Sequence, residues 1–294
     1  MTTIARGSET VRKLERALGG TAPKAALQKS RAALERHVIG RSKIRARAYA
    51  EMARLHEPLR KLIFRDIAKD DPRLKKIIQD AKAASKRARK RTAKLPKPEK
   101  FEPRFVAGSG FWFKSPPYDT SWTWGSQTNV HSSANSSAGT FHLDASIFAD
   151  GLRQVAAGIG IFFLALDDDP QQRFSALIDY SDSWHDHAAF YVAHNDLNTR
   201  LWVWGETENA WVGQGEVTPG WTDGVGWIDT HGNEPLGDDG RASGEIFFPV
   251  RANNWYLAWV WSDGSVYAEK NWLGANRSDL QLDISVPFVV FGSL

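Results

Sequence analysis

Cysteine is absent from the 294 residues. That excludes a disulfide framework and any thiolate metal site. Long apolar runs are also missing. The longest, VAAGIGIFFLAL at 155–166, falls short of the roughly 20 residues a membrane-crossing helix needs. The N-terminus, MTTIARGSETVRKLER, has no apolar stretch followed by a small-residue cleavage site, so it does not read as a secretory signal. The expectation is synthesis in the cytoplasm, with any release by a signal-independent route.

Aromatic residues are scarce at one end. The first 100 residues contain Tyr49 and Phe64 and no tryptophan, and all 13 Trp lie after residue 110. Acidic residues are scarce at the same end. Residues 1–100 carry 29 Lys and Arg against 10 Asp and Glu, a net of +19. Residues 101–294 carry 9 basic and 24 acidic residues, a net of −15. Two segments this different are expected to be separate objects. The predicted organisation is a basic α-helical domain at 1–94, a Pro-rich linker at 95–104, and an acidic, Trp-rich β domain at 105–294.

About four helices are predicted in the basic part. Ser8 caps the first, and Val11, Leu14 and Leu18 make its stripe before Gly19-Gly20. The second starts at Pro23 and ends at Gly40, with Leu27, Leu34 and Val38 on one face. A third begins near Ser42, with Tyr49, Met52, Leu55, Leu59, Leu62 and Ile63 at helical spacing and a kink or split at Pro58. Asp71-Pro72 opens the fourth, which ends in the basic run KRARKRTAK. The core of such a bundle would be thin, so the stripes call for cover from elsewhere.

After residue 104 the period becomes two. In TFHLDA, Phe141, Leu143 and Ala145 share one face. RFSALIDY and LQLDISVPFVV alternate in the same way, which marks half-buried antiparallel strands. Pro287 faces outward in the last of these, which suggests an edge or a bulge. Further strands are predicted near 105–113, 121–126, 155–166, 187–194, 200–205, 209–214 and 245–251. The fold class is α+β by segregated domains, a basic helical segment followed by an antiparallel, jelly-roll-like β-sandwich.

The stretch WYLAWVWSDGSVYAEKNW, 255–272, is apolar on both faces before Asp263-Gly264. That dipeptide favours a two-residue hairpin turn, with Trp261 facing Val266 across it. A strand apolar on both faces belongs inside a sheet covered on each side. Residues 216–244, rich in Gly, Asp and Thr, read as a long irregular loop, and long loops on a rigid sandwich carry binding sites.

The loop tryptophans are the candidates for ligand contact. Trp184, Trp221, Trp227 and Trp272, with Asp223, could stack on sugar rings and bond their hydroxyls. Trp122, Trp124, Trp202, Trp204, Trp255, Trp259 and Trp261 sit in strands and read as core or inter-sheet packing. His185 and His187 share a strand face, but His194 has the opposite parity, so the three do not converge on a metal. No metal site is assigned. Asp238 and Asp239 are the weak calcium candidates, although their spacing matches no EF-hand loop. No nucleophile, cofactor loop or ligand cluster marks an enzyme.

Lys86, Arg87, Arg89, Lys90 and Arg91 form the densest basic surface. Such a surface would attach to an acidic protein, either the chain's own β domain, a neighbouring subunit or a larger assembly, in a chain expected to oligomerise. Nucleic acid and an anionic membrane are the other classes of partner. The sequence thus points to a non-enzymatic binding protein whose sandwich recognises a surface ligand, carbohydrate first, and whose basic segment attaches it. A bacterial effector or toxin-like role would fit. A coat-like self-assembling protein with its basic segment facing nucleic acid, and a membrane-active pore-forming toxin, are the alternatives.

Overall fold

The computed structural model describes residues 24–67, 111–125, 129–148, 151–165, 167–188, 192–226, 236–269 and 276–292. The side chains of 59–67, 111–112, 187, 222–226 and 236–238 lie outside that description. So do the expected first and fourth helices, the Pro-rich linker, and Lys86, Arg87, Arg89, Lys90 and Arg91.

One helix, α1 (Lys24–Ile67), precedes eleven strands among these residues. They are β1 (Phe111–Lys114), β2 (Thr120–Gly125), β3 (Val130–Asn135), β4 (Thr140–Phe148), β5 (Gly151–Leu164), β6 (Asp169–His187), β7 (Val192–Gly205), β8 (Ala210–Gly226), β9 (Leu236–Val250), β10 (Trp255–Ala268) and β11 (Arg277–Gly292). They form two antiparallel sheets. One has six strands in the order β3-β4-β11-β6-β9, with β1 also on β11, and the other five in the order β2-β5-β10-β7-β8.

The alternating segments supply the layer between the sheets. Phe141, Leu143, Ala145 and Ile147 of β4 and Leu280, Leu282 and Ile284 of β11 are buried there. Val155, Ile159 and Ile161 of β5 meet them from the other sheet. β5, β7 and β10 are also buried on their second face. The cover on that side is α1, so the order of layers is helix, five-stranded sheet, six-stranded sheet.

Several expectations are corrected. The second and third helices are one, because Gly40 lies inside α1. A mid-helix glycine costs only about 1 kcal/mol, and Leu34, Val38, Arg41 and Arg45 carry one face across it at helical spacing. Pro58 is likewise inside α1, and Leu55 of the expected stripe is 63% exposed, while the side chains of Leu59, Leu62 and Ile63 lie outside the description. Asp263-Gly264 is not a turn. β10 runs straight through it, Asp263 pairing with Ala156 of β5 and Asn198 of β7. The expected loop over 216–244 is mostly strand, shared between β8 and β9. The expected strand over 187–194 is divided, since β6 ends at His187 and β7 starts at Val192. Pro287 does mark a bulge, where the register of β11 with β6 shifts between Ser285 and Phe288.

Trp122, Trp202, Trp204, Trp259 and Trp261 are core, as the strand positions implied, and the core they form lies between the five-stranded sheet and α1. Leu34 and Val38 cluster with Trp122, Trp202, Trp204, Trp259 and Trp261, and Trp124 and Trp211 pack alongside.

Candidate functional site

Trp184 of β6 and Trp221 of β8 come together. Leu197, the cross-strand neighbour of Trp221, belongs to the layer between the sheets, and Trp221 packs against that layer. The two indoles stack at 4.7 Å and 25°, closing the gap between one sheet and the other. Trp221 Nε1 donates to Asn195 Oδ1 at 2.5 Å, and Asn195 Nδ2 donates to Asp186 Oδ2 at 2.8 Å. Stack and hydrogen bond together fix the Trp221 ring.

Beside it lies a cleft of about 370 Å³ lined by Asn198, Thr199, Glu216, Val217, Thr218 and Gly220 with Trp221. A β-bulge makes it. Asn198 pairs with Gly220 but Thr199 with Val217, which leaves Thr218 and Pro219 without partners in β7. Bulges of this kind bend a strand and re-aim its side chains. The lining is one aromatic ring, an amide, two hydroxyls and a carboxylate. Of these, the sequence reading named Trp221 alone. Thr218-Pro219-Gly220 was the available signal, since proline inside a strand implies a bulge.

The other candidates do not join this site. Trp227 and Trp272 lie outside the described residues. Asp223, on β8, pairs with Asn195 of β7, and the Asp223 side chain is among those not described. Asp238 and Asp239 stand on β9 opposite Asp182 and Ser181, in a strand where a liganding loop was expected. No group of three or more His, Asp or Glu is suited to a metal ion among the described residues. His185 sits on the outer face of the six-stranded sheet near Asp279. His194 lies on the opposite face of the sandwich, against Tyr49 of α1.

A second constellation lies under α1. Trp122, Trp261, Trp202, Trp211 and Trp204 form a continuous run of edge-to-face rings, with centroids 5.0–6.3 Å apart. This geometry suits the positive edge and negative face of each indole. Glycines on β5 make room for it. A Cβ on Gly158 would lie 2.4 Å from Trp261 Cβ, and one on Gly160 would lie 3.2 Å from the Trp259 ring.

Next to the indoles the face turns ionic. The Arg200 guanidinium is paired with Asp263 and reaches Glu216 at 3.1 Å. It also lies 5.0 Å over the Trp261 ring. From α1, Arg45 pairs with Asp196 and reaches Asp263 at 3.4 Å. Ser265 donates to Asp196 at 2.8 Å. Arg31, toward the start of α1, donates to Ser121 O at 2.6 Å and to Thr120 Oγ1. Further along the helix Tyr49 stacks on Tyr267 at 4.1 Å and 7°. From Arg31 to Tyr49 the helix advances about 27 Å. From Trp259, level with Thr120 through Gly160, to Tyr267 the strand also advances about 27 Å. α1 therefore lies along β10, the central strand of its sheet.

His37 makes this seat sensitive to pH. Its ring meets Trp202 at 4.6 Å and Trp261 at 5.8 Å. Burial, then Arg41 and Arg45, hold its pKa below the usual value, and Glu216 opposes them weakly. Arg200, paired with Asp263, lies over the Trp261 ring that His37 also meets. A released helix would protonate His37 near the ordinary pKa of about 6.5. Seating is therefore undiminished above that pH and weakens as pH falls from about 6.5 toward the depressed value. The urea midpoint, followed by Trp emission, should drop between pH 7.5 and 5.5 by more in the wild type than in His37→Gln. Equal drops would show that other groups carry the dependence.

No family model matches the chain, and no curated protein matches it. Among solved structures it is similar to TmCBM61 in complex with β-1,4-galactotriose, at 10% identity and a TM-score of 0.20, over 60% of this chain and 90% of that one. It is also similar to a carbohydrate-binding module, TmCBM27, described for specific mannan recognition, at 13% identity and a TM-score of 0.22, over 63% and 90%. A third is the enzymatically active domain of tailspike protein 4 of bacteriophage CBA120, at 10% identity and a TM-score of 0.18, over 60% of this chain and 19% of that one. At these scores the likenesses carry no weight for the ligand, which has to be argued from the chain's own side chains.

Proposed function

We propose that this chain is a non-enzymatic binding protein whose β-sandwich takes a carbohydrate at the Trp221 cleft. The observation behind this reading is an immobilised indole beside a polar cleft. A sugar offers a flat C–H face and a rim of hydroxyls. Trp221 supplies the stacking surface, already fixed by Trp184 and Asn195, so little ordering is lost on binding. Asn198, Thr218 and Glu216 supply donors and acceptors. At about 370 Å³ the cleft is near the small end of ligand sites, which run from roughly 300 to 1,000 Å³. A short glycan segment or a chain end suits it. In this reading the basic run at Lys86–Arg91 attaches the protein to an acidic partner.

The test is affinity electrophoresis of the full chain against soluble galactan, galactomannan and mixed-linkage β-glucan. Trp221→Ala should weaken binding by about 30-fold, the loss of a central aromatic contact of about 2 kcal/mol. Trp221→Phe keeps a ring and should retain much of it. Binding that survives Trp221→Ala unchanged would remove the cleft from the reading.

A further inference from the structure

We propose that α1 is a displaceable strap over a second binding face, the tryptophan surface of the five-stranded sheet, and that this face takes a polyhydroxylated chain when the helix lifts. The inference deepens the glycan-binding reading and rests on it, but at a different face of the molecule.

The first ground is a set of orphaned donors. The indole nitrogens of Trp204, Trp259 and Trp261 are buried with no acceptor among the described residues. α1 offers them little. Its mid-helix carbonyls are already bonded to N–H groups one turn on. The aliphatic side chains it packs into this cluster, Leu27, Ala33, Leu34 and Val38, contain no acceptor, and the His37 ring set against Trp202 and Trp261 accepts from none of these indoles. Leaving a buried donor unpaired is unfavourable, and a helix serving only to close the sheet would be expected to pair these donors or avoid them. They suit an occupant that brings acceptors, such as the oxygens of a sugar chain.

The second ground is the shape and charge of the face. Gly158, Gly160 and Ala156 leave β5 almost without side chains between Trp122 and Trp124 on β2 and Trp259 and Trp261 on β10. With the helix gone this is a trough walled by indoles. At one end Asp263, Asp196 and Arg200 offer acceptors and donors for hydroxyl groups. The two carboxylates would repel a phosphate chain, so nucleic acid is a poor occupant. A second amphipathic helix would bring no more acceptors than α1 does.

The third ground is how the strap is held. Its aliphatic contacts are few, and the rest of the grip seen among the described residues is the His37 and Tyr49 rings and Arg31, Arg41 and Arg45 on the sheet. Salt weakens the most exposed of these, Arg41 at 29%, more than the buried Arg45 pairs. Displacement is then a matter of relative affinity, with the apparent affinity of the face set by the fraction of molecules whose helix has lifted.

The full chain, free of cysteine, allows a direct test. Tyr49→Cys combined with Tyr267→Cys replaces the stacked ring pair with a bridge that can be oxidised and reduced. Arg41→Ser combined with Arg45→Ser loosens the strap instead. The loosened protein should shift its Trp emission to longer wavelength and bind soluble galactan, galactomannan or β-glucan about tenfold more tightly or better. Adding Trp261→Ala should remove that gain, and adding Trp221→Ala should leave it. The bridged protein should lose the same binding mode when oxidised and regain it with reductant. Equal binding by the oxidised and reduced forms, a red shift without tighter binding, or no binding of any probe by the loosened protein would each overturn the inference. If Trp221→Ala changes nothing while binding still follows the bridge, the cleft fails and the strap stands. If Trp221→Ala removes all binding and the bridge has no effect, the strap fails and the cleft stands.

Discussion

Asp263→Ala should destabilise the protein by about 3–5 kcal/mol, the cost of breaking a buried ion pair from one side. Asp263 lies on the central strand with its side chain 1% exposed, and its partner Arg200 is 2% exposed. Removing the carboxylate strands the guanidinium under α1. Among the described residues, the other carboxylate it reaches is Glu216, which is mostly in solvent. Arg41 and Arg45 lose the same anchor. The control is Asp179→Ala. It breaks the two-point contact with Arg241, but Arg241 is exposed, so the loss should be below about 1 kcal/mol. Urea melts of the two variants decide the matter. Similar midpoints would show that the ion network contributes no more than a surface pair.

Asp263 also shows where sequence reading stops. Asp-Gly is a strong local signal for a hairpin turn, and here it is overruled by partners far along the chain. Arg200 lies 63 residues away and Arg45 lies 218 residues away. Gly264 has a packing reason too, since a Cβ there would sit 2.9 Å from Leu280 Cδ2 on the facing sheet. Neither requirement leaves a mark in the local pattern. The alternating strands were legible because each carries its own burial code, and Phe141, Leu143 and Ala145 are buried as their spacing implied. That code does not say what covers a second face. It could tell that β10 needed cover on both sides, but not that one cover was a basic helix. The ligand site divides in the same way. Trp221 stood out by residue type, while Asn198, Thr199 and Thr218 became visible only through a register shift between two strands.

Trp259→Ala should cost about 3–5 kcal/mol, the range for deleting a large buried aromatic. Its side chain is fully buried on the central strand and belongs to the cluster that seats α1. It packs against Gly160, and no neighbouring side chain on that part of β5 can fill the space it leaves. Part of the loss is offset, because the variant also removes an unpaired indole N–H, so the lower half of the range is expected. Trp221→Ala is the comparison. As an exposed loop residue it would cost almost nothing. Stacked on Trp184 and bonded to Asn195, it should cost about 1–3 kcal/mol, an intermediate loss for a half-buried ring. The order matters more than either value. Trp259→Ala should lower the urea midpoint further than Trp221→Ala. It should also shift the remaining Trp emission to longer wavelength before the main transition, because its seat for α1 is lost first. A variant that melts in one step with unshifted emission would mean that helix and sheet unfold together and that Trp259 serves the sheet alone.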